Sequence, residues 1–209
     1  IDARVGERYR GETEPIDPVA GHIPGSVNLP IAELLAADGT FRDPAEIRAA
    51  FAAVGLGVDS APATAAASCG SGVTACQLIL AGRVALLPVP AWDQHESSTL
   101  TTALRAGEQI DEDVSLVVST SGTAGTPKGA MLTPASLTAS ASATHRRLGG
   151  PGRWLLALPA HHIAGIQGLV RSVLAGTTPG GVDVSDGVDV TALPAALAKL
   201  RGPRRYAWL

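Results

Sequence analysis

Short apolar runs alternate with helical patterns along the first half of the chain, which is typical of a parallel sheet covered by helices. Asp43 followed by Pro44 predicts the start of a helix that runs to about Val54, because an aspartate N-cap and a proline in the first turn favour helix initiation. A second helix is predicted over 74–81. The predicted strand segments are 1–4, 27–29 and 84–87, and 62–68 leads into a glycine-containing loop.

From Leu100 the pattern changes and predicts a second unit. Its expected strands cover 114–119, 155–158 and 182–184, and its expected helices cover 100–106, 163–174 and 190–200, with a further helix starting near Thr133. Because domains usually contain about 100 to 150 residues, a chain of 209 residues is expected to form two units, 1–98 and 99–209.

Composition limits the classes of partner. Hydrophobic residues make up 45% of the chain and charged residues 17%, which indicates a globular protein, and the net charge of -3 gives no basic stripe for nucleic acid. The most apolar run, 154–176, contains His161, His162 and Arg171, so a membrane span is not expected.

The two cysteines, Cys69 and Cys76, would lie about 10 Å apart along one helix, too far for a disulfide. Reduced thiols favour a cytoplasmic location. Since the chain begins at Ile1, the start of the gene product is expected to lie outside this sequence.

A candidate nucleophile stands in the first glycine loop, Cys69-Gly70-Ser71-Gly72-Val73-Thr74. A loop with two glycines before a helix turns backbone N–H groups toward one point, which stabilises a thiolate and lowers its pKa. The alternative is a buried free cysteine in an ordinary turn.

The cysteine loop and its flanking motifs resemble the rhodanese family. Those motifs are Ile1-Asp2-Ala3-Arg4, the segment 7–12, the segment Gly21–Pro30, and the strand 84–88 followed by Trp92. The loop is more similar to that of 3-mercaptopyruvate sulfurtransferases than to that of thiosulfate sulfurtransferases. The resemblance implies a rhodanese-like parallel sheet flanked by helices over residues 1–98.

The rhodanese resemblance also implies roles for individual residues. Cys69 would accept sulfur as a persulfide, and Arg8 would bind the anionic donor. Asp2 and Arg4 would form a supporting ion pair or an ordinary surface pair, and His22 is expected to brace the backbone more than to transfer protons. Ser71 would polarise the substrate or serve as a plain loop hydroxyl.

The second glycine loop, 119–129, follows a Val-rich strand and supplies hydroxyls, flexible backbone and one lysine, the groups needed to hold a polyphosphate. It is not a Walker A loop, because Pro127 precedes Lys128 and no Ser or Thr follows that lysine. The expected nucleotide contacts are Thr120, Ser121, Gly122, Thr123, Gly125 and Lys128.

This loop, with the segments 159–165 and 204–206, resembles the adenylate-forming, acyl-CoA synthetase superfamily, in particular the o-succinylbenzoate CoA ligases of menaquinone synthesis. The resemblance implies an incomplete α/β segment of that fold over 99–209, with ATP and Mg²⁺ as possible cofactors. The adjacent His161 and His162 would serve the substrate pocket or the structure rather than a metal. Motifs for adenine and ribose are expected beyond Leu209, which predicts weak ATP binding and little adenylate formation.

The leading functional hypothesis is therefore sulfur transfer from a donor such as 3-mercaptopyruvate or thiosulfate to a thiol or cyanide, without a cofactor or metal. Two alternatives stay open. One is ATP-dependent acyl-CoA ligation, and the other is a non-catalytic rhodanese-like binding module. Small molecules, and not nucleic acid or a membrane, are the expected partners.

Overall fold

The computed structural model describes residues 1–15, 19–37, 42–56, 73–81, 85–90, 93–120, 127–184 and 187–208. The helices are α1 Gly6–Tyr9, α2 Pro44–Ala53, α3 Val73–Ala81, α4 Gln94–Ala103, α5 Pro134–Arg147, α6 Ile163–Leu174 and α7 Leu193–Lys199, with a 3₁₀-helix at Ile31–Leu34. The strands are β1 Leu116–Thr120, β2 Lys128–Leu132, β3 Arg153–Leu156, β4 Gly180–Gly181 and β5 Arg205–Trp208.

The strands form two small sheets. β1 and β2 pair as an antiparallel hairpin whose register runs from Leu116 opposite Leu132 to Thr120 opposite Lys128. β3 lies between β4 and β5, and both pairings are parallel. With helices packed between and around these sheets, the described part of the chain is an α/β structure.

The parallel sheet expected over residues 1–98 is not confirmed. Within the described part of that segment, the pairing consists of single parallel bridges, from Asp2 to Asn28 and from Leu86 to Leu116. The second bridge joins the segment to β1 instead of closing a sheet of its own. Leu86 N–H donates to Ser115 O at 3.0 Å, and Val117 N–H donates to Leu86 O at 2.9 Å.

Helix starts follow their capping residues. Asp43 caps α2, Asp93 caps α4 and Thr133 caps α5, and each accepts a hydrogen bond from a backbone N–H in the first turn. These bonds satisfy donors that a helix start otherwise leaves unpaired. α4 begins at Gln94, before the start predicted at Leu100, because Asp93 provides this cap.

Three hydrophobic clusters form the interior. The first cluster joins α3, β1, α5 and α6, and the second joins residues of the first 56 positions to Leu78 of α3. The third lies between β3, α7 and their neighbours. α3 therefore contributes to two clusters, with Cys76 in the first and Leu78 in the second, and Leu86 packs against both.

No helix in the described ranges is both long enough and apolar enough to span a bilayer.

Candidate nucleotide site

The β1–β2 hairpin holds the two ends of the predicted phosphate loop together. Thr120 and Lys128 lie opposite each other at the end of the ladder, and the hydroxyl of Thr120 donates a hydrogen bond to Lys128 O at 3.1 Å. Both residues are exposed. This hydrogen bond joins the two ends of the predicted phosphate loop. The side chain of Lys128 beside it is exposed to solvent.

The remaining predicted contacts of this loop, Ser121, Gly122, Thr123 and Gly125, lie outside the described residues. The glycine that follows the lysine has a clear packing role. A Cβ on Gly129 would lie 2.8 Å from Val117 Cγ1 and 3.2 Å from Leu104 Cδ2. Gly129 therefore lets β2 approach its partner strand and the end of α4 closely, which fixes where Lys128 stands.

A second close approach forms the turn between β3 and α6. A Cβ on Gly165 would lie 2.2 Å from Pro159 O, and a Cβ on Gly168 would lie 2.9 Å from Leu156 Cδ2. These two glycines bring the first turns of α6 against the end of β3. His161 and His162 occupy the turn, with His162 at the N-cap position of α6.

The two histidine rings contact each other, with centroids 4.2 Å apart. Burial, followed by the charge of His162, holds the pKa of His161 below its ordinary value of 6.5, and Glu96 of α4 opposes this shift. His161 is therefore neutral at pH 7 and can exchange hydrogen bonds without carrying charge.

The hairpin and the histidine turn rest on one core. Leu116 and Val118 of β1 pack in the same cluster as Leu137 of α5 and Ile166 and Leu169 of α6. Each of these side chains is at most 2% exposed. The elements that carry Lys128 and His162 are therefore held by shared packing rather than by loops alone.

The N-terminal residues predicted to bind a sulfur donor form an internal ion network. Arg4 pairs with Asp2 at 2.6 Å and with Glu14 at 3.1 Å, and Arg8 pairs with Glu14 at 2.6 Å. Asp2 and Arg4 are buried, so their pair is not a surface pair. His22 Nδ1 lies 2.8 Å from Tyr9 O, and the two rings are stacked.

The cysteine loop itself, Cys69 to Gly72, lies outside the described residues. Val73 and Thr74 form the first residues of α3. Cys76, on the same helix, is buried and is not in a disulfide.

Comparison with known proteins assigns the family. A family model described as "AMP-binding enzyme" matches residues 44–201, more than half of the chain. The chain belongs to the AMP-binding enzyme family. The match includes both the hairpin loop and the histidine turn.

Two kinds of curated relative support the two resemblances inferred from the motifs. The chain is 62% identical over 136 residues to a protein of Mycobacterium tuberculosis described as a probable 2-succinylbenzoate–CoA ligase, covering 65% of this chain and 34% of the relative. It is 46% identical over 92 residues to a probable 3-mercaptopyruvate sulfurtransferase of Pseudomonas aeruginosa, covering 43% of this chain and 31% of the relative. The chain thus spans about a third of the length of each relative.

Among solved structures, the chain is similar to o-succinylbenzoate CoA synthetase of Bacillus subtilis in complex with the acyl-adenylate intermediate OSB-AMP. The sequence identity is 26%, the TM-score is 0.39, and the match covers 63% of this chain and 38% of that one.

These findings correct the leading functional hypothesis. Sulfur transfer through a Cys69 persulfide is wrong as the main function, because the AMP-binding family model and the 62% identical relative both favour the ligase alternative. The packing agrees with this correction, since α3, which follows the cysteine loop, places Cys76 in the cluster that holds β1, α5 and α6. Glu14 also forms an ion pair with the guanidinium of Arg8, which was expected to bind the donor.

Sequence reasoning missed several residues of the candidate site. Gly129 and Gly165 act through close contacts that only the structure shows, and Glu96, whose charge opposes the lowering of the His161 pKa, lies in α4 before the helix start predicted at Leu100. The signal that could have found Glu96 is the N-cap Asp93, three residues before it.

Proposed function

We propose that this chain provides the phosphate-binding part of a 2-succinylbenzoate–CoA ligase. In the proposed reaction, a carboxylate oxygen of the acid attacks the α-phosphorus of ATP and pyrophosphate leaves. The thiol of CoA then attacks the acyl carbon, a proton is lost from sulfur, and AMP leaves. The observation that carries the proposal is the 62% identity to a relative described as such a ligase.

Lys128 supplies the positive charge for this task. Its exposed side chain is fixed at the base by the pairing of β2 with β1 and by the packing of Gly129. An ammonium held beside a polyphosphate lowers the free energy of the negative oxygens that develop when pyrophosphate leaves. Thr120 keeps the loop closed through its bond to Lys128 O, so its role is to position the loop.

The histidine turn suits the acid substrate. A neutral His161 can donate or accept a hydrogen bond, and the N-terminus of α6 presents backbone N–H groups that attract a carboxylate. The adjacent glycines, Gly165 and Gly168, keep this end of α6 close to β3. We assign the turn to substrate orientation rather than to proton transfer.

ATP chemistry of this kind commonly uses Mg²⁺. In the described ranges, no three or more His, Cys, Asp and Glu side chains come together as a metal site. Because Mg²⁺ in ATP sites is usually held by one or two carboxylates together with phosphates and water, the phosphates of ATP would supply most of the ligands of a bound Mg²⁺. The cytoplasm is the location that we propose, because the chain has two cysteines and Cys76, the one that the structure describes, is not in a disulfide.

The binding part of the proposal can be tested by titration calorimetry of the 209-residue chain with ATP and with pyrophosphate. We expect Lys128→Ala to weaken both by about fivefold to tenfold, as expected for loss of one charge-assisted hydrogen bond. Arg147→Ala is the matched control, because Arg147 is an exposed cation at the end of α5. Equal affinities of Lys128→Ala and the unchanged protein would contradict the assignment of the hairpin.

A further inference from the structure

A cavity lies at the edge of the three-stranded sheet, and the histidine turn does not line it. Its volume is about 550 Å³, and its lining includes Arg153 at the start of β3, Lys199 at the end of α7 and Arg201 in the turn that follows. His161 and His162 follow the opposite end of β3. Among the described residues, none that lines the cavity belongs to the histidine turn or to the β1–β2 hairpin.

The charged groups of this cavity have one sign. Its lining contains three cations and no Asp or Glu, although acidic residues outnumber basic ones in the chain as a whole, 19 to 16. In the described part of the chain, Arg4, Arg8, Arg10 and Arg105 each pair with a carboxylate, whereas no ion pair is formed there by the cavity's three cations. An unpaired cluster of like charges is unfavourable without an anion.

Packing at the sheet edge sets the positions of these cations. Leu200 is buried between Lys199 and Arg201, and it fits because Gly180 of β4 has no side chain. A Cβ on Gly180 would lie 2.7 Å from Leu200 Cδ2. Leu200 therefore anchors the chain at β4 and holds the two flanking cations at the cavity.

Apolar side chains form much of the remaining lining, which also includes Thr178. Leu155, Val182, Ala195 and Ala196 line the cavity together with Leu200. Ligand sites commonly combine such apolar walls with a few convergent polar groups, and a volume of a few hundred Å³ holds a small organic molecule. A lining that combines cations with apolar side chains favours a ligand with both characters.

We propose that this cavity binds a small organic anion that carries at least two negative charges, as a phosphate or as paired carboxylates, next to an apolar body. Arg201 and Arg153 can hold such a group in a fork of two N–H donors, and Lys199 adds a point charge. The site is distinct from the hairpin, so its occupancy does not depend on Lys128 or on the proposed ligase activity.

Phenyl phosphate and phthalate are suitable probes, since they distinguish a phosphate from paired carboxylates on the same ring. Backbone amide shifts of the 209-residue chain should change for Gly180, Gly181 and Val182 on titration at low ionic strength. We expect Arg201→Ala and Lys199→Ala each to weaken binding by about fivefold, and added salt to weaken it further. Arg201→Lys should keep part of the affinity.

Two variants serve as controls. Arg147→Ala removes one exposed cation elsewhere and should leave the probe affinity measured at Gly180, Gly181 and Val182 unchanged. Lys128→Ala should also leave this affinity unchanged, because the hairpin is a different site. Absence of saturable shifts at millimolar probe, or equal losses with Arg147→Ala, would overturn the proposal. Loss of binding with Lys128→Ala alone would show that the probe binds at the hairpin, which overturns the cavity assignment while supporting the phosphate role of that loop.

Discussion

At the level of single residues, glycines fix the shape of the candidate site more than its polar side chains do. Lys128 and the histidine pair are visible in the sequence as chemistry, but their placement depends on contacts at Gly129 and Gly165. Such contacts bring together residues from different elements, and local patterns do not encode them. Arg8 shows the converse. The rhodanese resemblance implied that it binds an anionic donor, but its guanidinium is paired with Glu14.

Gly165→Ala should therefore destabilise the protein, although alanine in a helix is usually more stable than glycine by up to about 1 kcal/mol. The new Cβ would lie 2.2 Å from Pro159 O, a backbone atom that cannot rotate away. We expect a net loss of about 1–3 kcal/mol, as for other overpacked sites. Thermal unfolding followed by circular dichroism measures this loss. Gly181→Ala is the control, because a Cβ on Gly181 would have no described atom of another element within 4 Å. Equal thermal midpoints for the two variants would contradict the packing argument.

Two half-buried histidines, His145 and His161, also predict a pH dependence. Burial, followed by the charge of Arg171, holds the pKa of His145 below 6.5, and burial, followed by His162, does the same for His161. Between these lowered values and 6.5 the unfolded chain binds more protons, so the free energy of unfolding should rise with pH and level off above about 6.5. Urea unfolding across this range tests it. His145→Gln should reduce the slope, and a slope unaffected by that change would refute the role of His145.

At the level of elements, helices with strong start signals were predictable, whereas strands were predictable only in part, since the ranges 114–119 and 155–158 overlap β1 and β3. The helix over 163–174 is found as α6 with the predicted bounds, and the helix that begins at Pro44 is capped by Asp43 as expected. β2 and β5 were not predicted, because β2 exists through pairing with β1 across the glycine loop and β5 through pairing with β3, which lies about fifty residues earlier. The strand predicted at 182–184 is wrong, since β4 is Gly180–Gly181 and residues 182–184 are not in a strand.

The capping box of α5 offers a test at this scale. Thr133 accepts from Ser136 N–H at 3.1 Å, and Ser136 Oγ accepts from Thr133 N–H at 3.1 Å. Thr133→Ala should cost about 1 kcal/mol, because a backbone donor at the helix start loses its partner. Ser140→Ala, an exposed change in the middle of the same helix, should be neutral or slightly stabilising. Denaturant midpoints compare the two, and a larger loss for Ser140→Ala would be inconsistent with capping.

At the scale of the whole molecule, one hydrophobic cluster joins elements from both sides of the boundary predicted near residue 98. α3 contributes Cys76 to one hydrophobic cluster and Leu78 to another, Leu86 packs against both, and the AMP-binding match begins at residue 44. The change in sequence pattern at Leu100 marks a change in motif, and such a change need not coincide with a gap between cores. The two-unit division, 1–98 and 99–209, stays a prediction.

Shared packing through α3 and Leu86 predicts that the chain unfolds as one unit, and the positions of the tryptophans make this testable. All three tryptophans lie at positions 92, 154 and 208, outside the first 56 residues. Leu34 is fully buried in the N-terminal cluster, so Leu34→Ala should cost about 2–5 kcal/mol. If the cores are coupled, the tryptophan fluorescence transition must move to lower denaturant together with the circular dichroism transition. Val19→Ala, at a side chain that is 78% exposed, should move neither. A fluorescence midpoint that stays constant in Leu34→Ala while helical signal is lost earlier would show that the N-terminal residues unfold alone, and would support a boundary between two independent units.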